Sequence, residues 1–140
     1  VNIKLDGVEQ IRELGELAGA SDIVSIHAIL NDETEGLVSR KVIDRMKTDG
    51  LVINTARGTI LDNTALLDAL EQQRLRGAAL DVIPDERRQS GNSEREQLLQ
   101  YARTHNNLII TPHIAGATVE SMTMTEEFMV DKLLQAEDGQ

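Results

Sequence analysis

Apolar positions along this chain fall into two patterns. Four runs are short and continuous: Ile23-Val24-Ser25-Ile26, Leu51-Val52-Ile53, Ala78-Ala79-Leu80-Asp81-Val82 and Leu108-Ile109-Ile110. Continuity, rather than strict alternation, predicts parallel strands covered on both faces. Between these runs the apolar residues take helical spacing. Val8, Ile11, Leu14 and Leu17 recur at every third position before the first run. Asp62 is placed to cap a helix through Ala65-Leu66-Leu67-Asp68-Ala69-Leu70, a stretch of strong helix formers. Ser93-Glu94-Arg95-Glu96 reads as a capping box that opens a helix through Leu98-Leu99-Gln100-Tyr101. A longer helix is predicted from about Thr118, with Met122, Met129 and Leu133 on one side and an acidic tail over Ala136 to Gln140. Val1-Asn2-Ile3-Lys4 reads as one further short strand, and Pro84 to Glu96 as a polar, exposed loop.

Strands alternating with helices over short connections make βαβ units and a parallel sheet. The expected fold is α/β: a partial doubly wound sheet of the Rossmann type, with helices on both faces. Residues 1–140 read as a single partial domain, with no internal repeat and no low-complexity tract.

Composition narrows the function. Hydrophobic residues make up 40% of the 140, enough for a core. No apolar run approaches the roughly 20 residues that span a bilayer. There is no cysteine, which removes disulfides, thiolate metal sites and a cysteine nucleophile together. Lys+Arg number 14 against 24 Asp+Glu, a net charge of −10, and Tyr101 and Phe128 are the only aromatics. Nucleic acid and anionic membranes, which need a basic face, and base-stacking platforms are therefore poor partners. The three histidines lack close pairing, so no metal site is expected. No Gly-x-Ser-x-Gly elbow is present for a hydrolase. The chain starts at Val1 without a signal-like leader, which suggests a fragment and, with the absence of cysteine, a cytoplasmic location.

In an open parallel sheet, ligands bind beyond the carboxyl ends of the strands. After the first run comes His27, and after the second Asn54-Thr55-Ala56-Arg57-Gly58. The third ends at Asp81, with Glu86 beyond it; the fourth runs into Thr111-Pro112-His113-Ile114-Ala115-Gly116. Each has a plain alternative. Arg57 beside Gly58 suits a solvated turn. Asp81, costly to bury unpaired, needs a partner that is either a ligand or a helix N-terminus. Glu86 lies in the charge run Asp85-Glu86-Arg87-Arg88. His27 suits a hydrogen-bonded strand end, and His105 an exposed, inert position. Taken together, one cation, acids and a histidine fit proton transfer beside a bound carboxylate. A histidine paired with a carboxylate is a general acid/base, and an arginine offers a planar fork to a substrate carboxylate.

These four motifs, in this order from about Asp6 to Thr125, resemble the D-isomer-specific 2-hydroxyacid dehydrogenases, the group that includes D-3-phosphoglycerate dehydrogenase. The resemblance implies oxidation of a D-2-hydroxy acid, or reduction of a 2-keto acid, with NAD as cofactor and NADP left open. It implies that Arg57 orients the substrate carboxylate, that His113 exchanges a proton with the substrate oxygen, and that Glu86 supports His113. Asp81 would accept a hydrogen bond from the nicotinamide carboxamide, and Thr55, Ala56, His27 and Gly116 would line the cofactor cleft. The parent enzyme would be a homodimer acting on a small molecule.

Two features depart from the family pattern. Arg87-Arg88-Gln89, rather than proline, follows Glu86, and no His-Pro step occurs. No two glycines are two apart, so there is no Gly-x-Gly-x-x-Gly. The glycine-rich half of the dinucleotide domain and the substrate domain are therefore expected to lie outside this stretch, and the stretch alone to be inactive. A different class of reading is a dinucleotide-sensing binding module on the same fold, as in the C-terminal binding protein corepressors.

Overall fold

A computed structural model describes residues 6–85 and 93–137. Four strands form one parallel sheet in the order β1 (Ile23–Ile26), β2 (Leu51–Asn54), β3 (Gly77–Leu80) and β4 (Leu108–Ile110). Each neighbouring pair is consecutive in the chain, and each connection carries a helix: α2 (Arg40–Ile43), α3 (Asn63–Glu71) and α4 (Ser93–Thr104). α1 (Leu14–Ala20) precedes the sheet and α5 (Val119–Glu137) follows it. The four strands coincide with the four apolar runs, and the α/β class holds. Asp81, read as lying within its run, sits just past the end of β3. The expected strand over residues 1–4 lies outside the described residues.

Register builds two rows across the sheet on one face: Val24, Val52, Ala78 and Leu108, then Ile26, Asn54, Leu80 and Ile110. All but Ile110 are buried, and Ile110 packs against the core. They join Ile43, Leu66, Leu70 and Leu98 from α2, α3 and α4 in one cluster. The opposite face, with Ile23, Ser25, Ile53, Ala79 and Ile109, is open to partly open among the described residues. Burial is thus one-sided where continuous apolar runs suggested cover on both faces. The runs stay apolar because both faces carry aliphatic side chains, not because both are packed here.

Asp62 caps α3 as expected, accepting the Ala65 backbone N–H at 2.8 Å. α1 is shorter than its three-residue spacing suggests. It begins at Leu14, where the chain first meets the core; Val8 is exposed, and a short helix needs packing to persist. Pro84, read as the start of an exposed loop, is buried, and residues 93–96 already belong to α4. α5 covers the predicted helix, with Met122, Met129 and Leu133 all exposed. Among the described residues, no helix is long and apolar enough to cross a membrane.

Candidate active site at the carboxyl ends of the strands

Parallel strands deliver all their carboxyl ends to one rim, and the polar residues singled out above collect there. Past β2 the chain turns sharply at Thr55 to Gly58 before a single turn of 3-10 helix, Gly58–Ile60. Asn54, fully buried, holds this turn: its Oδ1 accepts the Ala56 N–H at 3.0 Å and its Nδ2 donates to the Arg57 carbonyl at 3.0 Å. Asn63, also buried, donates to the Gly58 carbonyl at 3.0 Å and to the Leu61 carbonyl at 2.8 Å. Gly58 has no room for a side chain. A Cβ there would lie 2.3 Å from the Ile83 carbonyl carbon, where the segment leaving β3 crosses the turn. Arg57 itself is exposed, and its guanidinium donates to the Ala56 carbonyl at 2.6 Å. It has no carboxylate partner among the described residues, so the rest of its fork remains to be engaged.

Past β3, Asp81 is 5% exposed. Its Oδ1 accepts the Thr111 hydroxyl at 2.5 Å and the Ile114 N–H at 2.9 Å; its Oδ2 accepts the Ala115 N–H at 2.8 Å. Burial opposes the charge, but these three bonds and the nearby His113 outweigh it and hold the carboxyl below its ordinary value of 3.8. The contacts of Asp81 come from a hydroxyl and two backbone N–H groups of the loop between β4 and α5, not from the helix N-terminus offered as the alternative. Those partners bracket His113 on both sides. His113 is exposed and takes φ +56°, the left-handed region, a costly conformation for a side chain with Cβ. Its own N–H donates to the Thr111 carbonyl at 3.0 Å.

Two clefts divide the site. One, of about 310 Å³, is lined by His27, Ala28, Thr55, Ala56 and Arg57 among others; the second, about 640 Å³, reaches Asp81, Thr111, Pro112 and His113. The structure thus groups His27, Thr55, Ala56 and Arg57, and separately Asp81 and His113, on neighbouring strand ends. The two groups are tied by the Asp81 N–H, which donates to the Asn54 carbonyl at 2.9 Å. His27 pairs with the Ser25 hydroxyl at 2.8 Å. Gly116 stands apart in neither cleft, and a Cβ there would meet nothing within 4 Å. Glu86 lies outside the described residues. His105 is exposed and stacks on Tyr101, with ring centroids 3.9 Å apart. No group of three or more metal-ligating side chains occurs among the described residues. Sequence reasoning missed Asn54 and Asn63; the one available signal was an asparagine closing an otherwise aliphatic strand.

The family profile described as D-isomer specific 2-hydroxyacid dehydrogenase, NAD binding domain, matches residues 2–115. The chain belongs to this family. D-3-phosphoglycerate dehydrogenase of Escherichia coli strain K12 is 35% identical over 137 residues, which is 98% of this chain and 32% of that protein. A 2-hydroxyacid dehydrogenase assigned as putative in Haemophilus influenzae is 39% identical over 120 residues, 86% of this chain and 36% of its own length. The chain therefore spans about a third of the length of these relatives. Among solved structures, D-lactate dehydrogenase of Aquifex aeolicus, complexed with NAD and lactic acid, superposes with TM-score 0.75 at 30% identity. That match covers 96% of this chain and 45% of the other. The Rossmann-type sheet thus belongs to an NAD-binding domain of this family.

Proposed function

We propose that this chain forms the nicotinamide end of the NAD-binding domain of an enzyme that interconverts a D-2-hydroxy acid and a 2-keto acid, as part of a longer polypeptide. The observation that carries the reading is the gathering of Arg57, Asp81 and His113 on adjacent strand ends in a member of this family. The arrangement fits the cofactor: the cleft of His27, Thr55, Ala56 and Arg57 is open, and Asp81 Oδ2 accepts only one bond within the described chain. That oxygen has a lone pair for a carboxamide N–H, and Thr55, Ala56, His27 and Gly116 are the remaining candidates for the cleft wall. Bound nicotinamide supplies the acceptor or donor of the hydride.

The chain's own residues do the rest. Arg57 presents unengaged guanidinium N–H groups to the substrate carboxylate, fixing the 2-carbon and its oxygen. During oxidation the C–H electron pair leaves the 2-carbon as hydride, the O–H proton passes to the His113 imidazole, and the carbon–oxygen bond becomes a carbonyl. Reduction runs the same steps backwards, with His113 as the acid. Glu86, outside the described residues, is assigned the role of supporting His113 that the family resemblance implies. The parent is proposed to be a homodimer using NAD, with NADP open because one neighbour, an acyclic imino acid reductase at TM-score 0.76, is complexed with NADPH.

In the enzyme that carries this domain, His113→Gln is expected to lower kcat for keto-acid reduction by about 10²- to 10⁴-fold with dinucleotide binding retained. Steady-state assays following NADH absorbance measure this, and activity retained by His113→Gln would refute the assignment of His113.

A further inference from the structure

Asn54 occupies a position that the sheet otherwise gives to aliphatic residues. Its row reads Ile26, Asn54, Leu80 and Ile110, and its exposure is 0%. A leucine there would fill the core without burying an amide, whereas a buried amide left unpaired is destabilising. Both ends of the amide are instead spent on one turn. Oδ1 accepts the Ala56 N–H and Nδ2 donates to the Arg57 carbonyl, so the peptide units on either side of the Ala56–Arg57 peptide are both held. The main chain of Asn54 adds a second link, accepting the Asp81 N–H at 2.9 Å, and Asp81 in turn binds Thr111, Ile114 and Ala115 around His113. A continuous hydrogen-bonded path therefore joins the backbone bearing Arg57 to the backbone bearing His113, across the ends of β2, β3 and β4.

We propose that Asn54 is a positioning residue: its side-chain amide fixes the turn that aims Arg57, and its carbonyl holds that turn in register with the His113 loop. The consequence for substrate rests on the reading of Arg57 given above; the grip on the turn does not. Asn54 is assigned no contact with substrate or cofactor; it acts through the turn that carries Arg57 and through its link to the His113 loop.

Amide hydrogen exchange on the 140-residue chain tests the grip directly. In the unaltered chain the Ala56 N–H and the Asn54 side-chain amide should exchange at least tenfold slower than exposed amides. Asn54→Leu keeps the core filled, and Asn54→Asp keeps shape and acceptor but loses the donor. Asn54→Leu should release Ala56 to fast exchange, whereas Asn54→Asp should keep Ala56 protected and lose only the hold on the Arg57 carbonyl; both should shift the Arg57 Nε–H resonance, with the remaining spectrum folded. Unprotected Ala56 in the unaltered chain, or Ala56 protection unchanged in folded Asn54→Leu, would overturn the proposal. In the full enzyme, Asn54→Leu should raise KM for the keto acid about tenfold while leaving KM for the dinucleotide within about twofold. A loss in both parameters alike would show a merely structural role. Arg57→Gln run alongside separates the two readings. If it too leaves the keto-acid KM unchanged, the reading of Arg57 fails and the exchange data alone decide on Asn54. If it raises KM and Asn54→Leu does not, the positioning role fails.

Discussion

Asp81 shows how one carboxylate serves a loop. Its three hydrogen bonds reach residues 111, 114 and 115, so the loop that places His113 in a left-handed conformation closes on Asp81 from both sides. The carboxyl titrates below its ordinary value of 3.8 in the folded chain. A depressed folded-state pKa contributes stability that is present above about pH 4 and is lost as the pH falls through the folded value. Urea titrations at pH 7 and pH 3 should therefore show the unaltered chain losing stability toward acid more steeply than Asp81→Asn. At pH 7 the substitution should cost about 1–3 kcal/mol, because a charged acceptor of backbone N–H groups is removed. An equal acid slope in both proteins would mean the three bonds carry no linked proton. At this scale the sequence made Arg57, Asp81 and His113 visible, since charge and imidazole stand out at the ends of aliphatic runs. Asn54 stood in the motif as an asparagine closing an aliphatic strand, but its hold on the turn was not legible, nor was the left-handed φ of His113, because side-chain partners and backbone angles leave little mark in residue type.

Elements assemble the rim through close backbone contact. The turn after β2 and the segment after β3 cross at Gly58, where a Cβ would lie 2.3 Å from the Ile83 carbonyl carbon and 2.5 Å from the Pro84 nitrogen. Both neighbours are backbone, so neither can swing aside. Gly58→Ala should destabilise by at least about 1–3 kcal/mol, read from the urea midpoint. A neutral result would mean the two segments separate freely. Asp62→Ala, removing the cap of α3 at the far end of the same turn, should cost about 1 kcal/mol. The strands and the α3 cap were legible because a continuous aliphatic run and an aspartate before strong helix formers each have a local cause. α2, only Arg40–Ile43, was not anticipated. It is too short for a helical period to register, and its burial of Val42 and Ile43 is decided by the tertiary core.

At the scale of the whole molecule, the described chain packs one face of its sheet and leaves Ile23 and Ile109 exposed on the other, with the apolar side chains of α5 exposed as well. Coverage of a third of the length of its relatives accords with that incompleteness. Alone, the 140 residues should show no keto-acid-dependent oxidation of NADH. The rim, however, is already built, its two loops linked through Asn54 and Asp81. The central claim is that this rim is the nicotinamide end of the site. The most direct test is to titrate NADH into the isotopically labelled chain and follow backbone amide resonances. The account requires saturable shifts concentrated at His27, Thr55 to Gly58, Asp81 and Ile114 to Gly116, and weakened by Asp81→Ala in a folded chain. Shifts confined to the opposite end of the sheet, around Asp49 and Arg74, or none at all in a folded sample, would contradict it.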